Sequence, residues 1–178
     1  MDRLSVWADK AECTELVLRV ARAIDRRDAE LLASLFHPDA TDDHGMFVGT
    51  ATDFIAFVMP LLATMKQTQH VLGQTLVELD GNRAAGETYF VAHHTLTSPD
   101  GTIFMIAAGR YLDRFERRDG TWKIAHRHAV YDWNSTVPST DSFDRANPGT
   151  WVYGVPGKED RSYAHLAFTP EVLAPDRA

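Results

Sequence analysis

Residues 67–133, QTQHVLGQTLVELDGNRAAGETYFVAHHTLTSPDGTIFMIAAGRYLDRFERRDGTWKIAHRHAVYDW, decide the fold. Four runs, 67–79, 83–97, 103–117 and 122–133, carry the composition and period of strands, in which successive side chains point to opposite faces. They are joined by Asp80-Gly81-Asn82, Ser98-Pro99-Asp100-Gly101 and Arg118-Asp119-Gly120. Each connection contains the Asp-Gly pair that suits a tight hairpin, so the runs form an antiparallel meander.

The period upstream is helical. Leu16, Val17, Val20 and Ile24, then Leu31, Leu32 and Leu35, recur at three- and four-residue spacing. Asp25-Arg26-Arg27-Asp28 interrupts the pattern, and Asp28 fits the N-cap of a short second helix. Phe36-His37-Pro38-Asp39 ends that helix, because the residue before a proline is pushed out of helical geometry. A polar loop over 39–44, a short strand at Met46-Phe47-Val48 and a third helix over 52–65 follow, with Pro60 as a kink or a break. Helices followed by strands give an α+β fold: about four long strands plus a short one, wrapped around three N-terminal helices with a pocket between. The domain ends near residue 135. Residues 136–178 are expected to form an irregular tail that packs on the pocket or on a neighbouring subunit.

The chain has 178 residues, 44% hydrophobic and 24% charged, with a net charge of −7. The single cysteine, Cys13, excludes an internal disulfide and a cysteine-rich zinc site. An acidic chain without a basic tract argues against nucleic acid as a partner. No apolar run approaches the ~20 residues that span a bilayer, and the N-terminus lacks a signal-peptide pattern, so a cytoplasmic protein is expected. Phosphate-binding glycine loops, Gly-x-Ser-x-Gly elbows and His-Glu-x-x-His helices are absent.

Eight histidines remain, and imidazole is the side chain suited to moving protons near neutral pH. Asp25 closes the apolar face of the first helix and His70 lies near the start of the first long strand. Separately, a helix-end aspartate is often a cap or an arginine partner, and a strand histidine is often structural. Paired, the carboxylate fixes the imidazole tautomer and raises the basicity of its other nitrogen. On the last strand, Arg127, Ala129, Tyr131 and Trp133 share one face, and His126, His128 and Asp132 the other. Arg127 is either a surface ion pair or a pocket group that binds an anion or polarises a substrate. On the second strand His94 shares its face with Phe90, Ala92 and Leu96, which makes it either a pocket group or a satisfied core histidine. His126-x-His128 with Asp42-Asp43-His44 offers weak metal-ligand spacing, and no metal is assigned.

Several of these residues occur in a recognisable order. Ala23-Ile24-Asp25-Arg26-Arg27-Asp28 comes first, then Leu35-Phe36-His37-Pro38-Asp39-Ala40, Asp43-His44-Gly45 and Thr68-Gln69-His70-Val71-Leu72-Gly73. Arg110–Ile124, with Asp119-Gly120-Thr121-Trp122, closes the series. Over residues 8 to 135 the chain resembles SnoaL-like proteins of the NTF2-like superfamily, which include scytalone dehydratase, bile-acid 7α-dehydratase and hexachlorocyclohexane dehydrochlorinase. The resemblance implies a cone-shaped sheet around three helices and an apolar pocket. It implies cofactor-independent elimination on a small hydrophobic, cyclic or polyketide-like substrate. Asp25 and His70 hold the positions of that family's aspartate–histidine dyad, and Arg127 that of a pocket arginine five residues after Trp122. Substrate-binding positions are Arg127, His94, Phe90 and Tyr131. Where several dehydratases carry a tyrosine five residues before the dyad aspartate, this chain has Val20, so Tyr89, Tyr111 or Tyr131 would have to replace it. The same dyad would serve an isomerase or cyclase. The superfamily also holds non-catalytic assembly proteins such as dioxygenase small subunits. By analogy the chain is expected to be a homo-oligomer, a dimer or trimer.

Overall fold

The computed structural model describes residues 2–167. The first helix, α1 (Arg3–Arg26), is capped by Asp2, whose side chain accepts from the Leu4 N–H. It ends in a left-handed residue, Arg27, at φ 52°. Its buried stripe runs through Cys13, Val17, Val20 and Ile24, the spacing of one helical face. Helix α2 (Ala29–Ser34) has Asp28 as its N-cap, accepting from the Leu31 N–H. Strand β1 (Phe36–Asp43) and the short β2 (Val48–Thr50) precede α3 (Ala51–Thr64). Pro60 lies inside α3 without ending it.

The meander forms with the three expected hairpins: β3 (Gln67–Asp80), β4 (Arg83–Ser98), β5 (Gly101–Arg118) and β6 (Thr121–Pro138). A fourth helix, α4 (Arg161–Leu166), follows. The six strands stand in the order β2-β1-β6-β5-β4-β3. The sheet is curved and open, with helices covering one face.

The strand count and the antiparallel expectation need correction. The sheet has six strands rather than five, and β1 runs parallel to β6, with Thr41 opposite His126 and Asp42 opposite Arg127. Residues 36–43 look like a helix end followed by a loop because they carry Pro38 and three aspartates. Pairing with β6 on one side and β2 on the other overrides that weak local preference. The short strand also begins at Val48, so Met46 and Phe47 belong to the turn before it.

The core clusters Leu32, Leu35, Phe36, Phe115, Trp122 and Ile124 at one end of the cone. At the other end a bulge bends β6: Ala108 faces Trp133 and Gly109 faces Tyr131, leaving Asp132 as the extra residue. A Cβ on Gly109 would lie 2.0 Å from the Val130 carbonyl oxygen. Gly109→Ala is therefore expected to lower stability by about 2 kcal/mol through overpacking against backbone, measured as a reduced urea midpoint. An unchanged midpoint would show that the bulge relaxes freely.

Of the expected tail, residues 155–163 lie against the end of α1, and 168–178 are outside the described residues. The Gly157 N–H donates to the Arg26 carbonyl at 2.6 Å, Tyr163 Oη donates to Asp28 at 2.7 Å, and Arg26 pairs with Asp160 at 3.3 Å. Among the described residues no helix is long and apolar enough to cross a membrane.

Candidate active site

Between α1, α3 and the inner face of the sheet lies a cavity of about 540 Å³. That is within the range of small-molecule sites. A wider groove of about 990 Å³ runs over the surface between α1 and β3, lined by Trp7, Leu18 and Leu76. It holds none of the histidines, whereas the inner cavity is lined by His44, His70 and His94.

His70 lines this cavity with Asp25 behind it. The Asp25 carboxylate accepts from His70 Nδ1–H at 2.7 Å and from the His70 backbone N–H at 2.9 and 3.1 Å. A carboxylate can only accept, so Nδ1 carries a proton, and in the neutral ring Nε2 holds the lone pair. Both side chains are about nine-tenths buried. The helix terminus itself is closed by Arg27, which leaves Asp25 free of a capping role.

Strand register explains the company His70 keeps. His70 stands opposite Ala92 and Thr68 opposite His94, which places the two histidines diagonally on one face. Their rings meet edge to face at 5.7 Å. His94 Nδ1 shares a 3.0 Å hydrogen bond with Thr68 Oγ1. Burial first, and the neighbouring His70 second, lower the His94 imidazole from 6.5 to about 4. The unfolded chain binds a proton between those two values that the folded chain refuses. Stability is thus complete above about pH 6.5 and declines as pH falls toward about 4, by about 3 kcal/mol in total. Urea unfolding across that interval should show the decline, and His94→Gln should flatten it. Equal slopes in the two proteins would contradict the assignment.

The remaining wall is aromatic and aliphatic. Phe90 stacks on Tyr111 at 4.2 Å and meets Tyr131 edge-on at 6.0 Å. Val20, Ile24, Phe54, Leu62 and Met105 complete much of the lining. Burial raises both the Tyr111 and the Tyr131 hydroxyls above their ordinary range. Of the three tyrosines considered as replacements for Val20, these two line the cavity. Tyr89 is on the opposite face of β4 and is not among the lining residues.

Arg127 is neither a surface ion pair nor an unoccupied anion receptor. Its Nε and Nη2 each donate to Asp113 at 2.8 Å, and both side chains are almost wholly buried. Its guanidinium also lies 4.2 Å from the centre of the Tyr111 ring. Burial opposes its charge, but Asp113 outweighs that and holds the arginine firmly protonated. It is a charge-compensated part of the wall.

His126 and His128 turn away from the cavity: His126 Nδ1 bonds Thr41 Oγ1 at 2.7 Å, and His128 is 4.0 Å from Asp43. Among the described residues no group of three or more His, Cys, Asp or Glu is placed to hold a metal ion. Sequence reasoning did not bring Asn134 and Thr136, which lie beyond the Asp132 bulge, to the cavity, and it weighed Asp42 and His44 only as metal ligands. The i, i+2 spacing of that pair was the available signal, obscured because residues 39–44 read as a loop.

A SnoaL-like domain model matches residues 5–128. The chain belongs to the SnoaL-like family. No curated protein sequence matches it. Among solved structures, this SnoaL-like protein is similar to a hexachlorocyclohexane dehydrochlorinase, LinA type 2, with a TM-score of 0.71 and 21% identity over 83% of this chain and 99% of that one. It is similar to a proposed scytalone dehydratase from Novosphingobium aromaticivorans, with a TM-score of 0.64 and 20% identity over 72% and 87% of the two chains. It is also similar to the beta subunit of a proposed aromatic-ring-hydroxylating dioxygenase from the same organism, with a TM-score of 0.58 and 21% identity over 72% and 92%. Likeness at this level shows the fold. It does not choose between catalysis and assembly.

Proposed function

We propose that this chain is a cofactor-independent lyase, acting by elimination on a small, mostly apolar cyclic or polyketide-like compound. The observation that carries the reading is an imidazole, backed by a buried carboxylate, that lines an apolar cavity of about 540 Å³. His70 is the general base: its Nε2 lone pair takes a proton from carbon while Asp25 stabilises the imidazolium that forms. His94, kept neutral, stays beside it without competing for the proton. Phe90 and Tyr131 position the ring by stacking. Arg127, neutralised by Asp113, shapes the wall and lends polarity rather than a free charge. The similarity to a dehydrochlorinase and a proposed dehydratase supports elimination.

An isomerase or cyclase would use the same first step. Incubation with cyclic hydroxyketones, followed by mass spectrometry, separates the outcomes: elimination loses water, whereas isomerisation conserves mass. Products of equal mass, formed in a His70-dependent way, would overturn elimination and keep the dyad. The absence of any His70-dependent turnover, with the cavity empty of bound ligand, would favour an assembly role. We place the protein in the cytoplasm as a dimer or trimer, with exposed Val71, Leu76 and Tyr89 as apolar surface available to a second copy.

A further inference from the structure

A second aspartate–histidine pair faces the same cavity. Asp42, at the end of β1, is fully buried, and its Oδ1 accepts from His44 Nδ1–H just beyond the strand. The His44 ring lies flat on Phe54 of α3, with centroids 4.4 Å apart and an interplanar angle of 11°, and tilts against Tyr111 at 6.1 Å. Both Asp42 and His44 line the cavity. His44 Nε2 makes no hydrogen bond among the described residues. Asp42 Oδ2 is a buried oxygen without a partner. Such an atom, costly to strand, is expected where a bound group or water completes the network.

The two pairs differ in place and in surroundings. His70 is on β3, at one edge of the sheet, and His44 follows β1, four strands away toward the other edge. Asp25 has a single imidazole to itself, whereas Asp42 belongs to a larger cluster. Asp42 stands opposite Arg127 in register, and Asp113 holds that same guanidinium. Asp113 binds the Arg127 guanidinium directly, and the Asp42 carboxylate supports the same cation as a neighbouring negative charge. The charged and titratable groups near His44 include Asp42 and the adjacent Asp43 from β1 and Tyr111 from β5, while Arg127 and Tyr131 of β6 line the same cavity. When His44 takes a second proton, Asp42 is the counter-charge at Nδ1 and Nε2–H is a donor.

We propose that His44, held by Asp42, is the acid and oxygen-binding group of the cavity, with Nε2–H donating to an oxygen of the substrate. This rests on the lyase reading and adds to it the class of leaving group: an oxygen, carried on the carbon next to the one that loses its proton. His70 Nε2 accepts the proton, the C–H electron pair becomes the new carbon–carbon double bond, and the C–O bond breaks. The departing oxygen takes its proton from His44 Nε2 and leaves as water. His70 has then gained one proton and His44 has lost one, and solvent restores both.

The test uses 4-nitrophenol, whose phenolate has its own absorption band, as an oxygen probe in the intact protein. The protein should bind the phenolate in preference to the phenol. His44→Gln and the milder Asp42→Asn should each lower that preference roughly tenfold or more, as expected for a lost charged hydrogen bond. His70→Gln should retain it. In the unsubstituted protein labelled with 15N-histidine, the probe should move the His44 Nε2 resonance, a readout that does not depend on any variant folding. Phenolate preference unchanged in both His44→Gln and Asp42→Asn would overturn the proposal. So would a preference lost only in His70→Gln, or no phenolate binding with an unmoved His44 resonance. Failure of the lyase reading would show separately, as full turnover in His70→Gln.

Discussion

His70→Ala should reduce turnover by ~10²–10⁴-fold, the usual worth of a positioned general base. Alanine leaves the cavity and its aromatic wall in place and removes only the proposed proton acceptor. Asp25→Asn should have an effect of the same kind through a different cause. The carboxylate now accepts from both the backbone N–H and the ring of His70. An amide carries no negative charge and offers one oxygen, so the imidazolium loses its counter-charge and the ring its fixed tautomer. The measurement is kcat on a substrate found by the product screen, with circular dichroism to show that both variants stay folded. Full activity in both would remove the dyad from the mechanism.

The largest effect on stability is expected at Arg127. Arg127→Met leaves Asp113 buried with no partner and removes a positive charge that interacts with Asp42. Breaking a buried ion pair from one side typically costs about 3–5 kcal/mol. Arg127→Met combined with Asp113→Leu should recover most of that loss, because the double replacement strands no charge at this pair. Chemical denaturation of the two variants provides the comparison. A single variant as stable as the original chain would mean that the pair is already hydrated and contributes little.

What could be read from the sequence follows from how far apart the deciding residues lie. The three Asp-Gly hairpins, the stripe on α1 and the Asp28 cap depend on neighbours within a few positions, and each is present. Strand β1 depends on β6, more than eighty residues later, and nothing in Pro38, Asp39 or Asp42 announces it. The Asp25–His70 contact was reached by joining a helical period to a family resemblance. The fate of Arg127 was not, because Asp113 faces it only once β5 and β6 are in register. Alternation on β6 was legible as far as Tyr131 and failed at Asp132, where one extra residue shifts every later side chain.

The way Asp25 grips His70 by ring and main chain together has a consequence for how such a protein changes its chemistry over time. The orientation of the His70 ring is set by a residue of α1 that also holds the histidine's own backbone, with no help from whatever fills the void. Residues on the opposite wall, Met105, Tyr131, Asn134 and Thr136 among them, are therefore at liberty to vary with the cargo. On the proposed lyase reading, new specificities would arise there by small steps, each inheriting an intact Asp25–His70 pair.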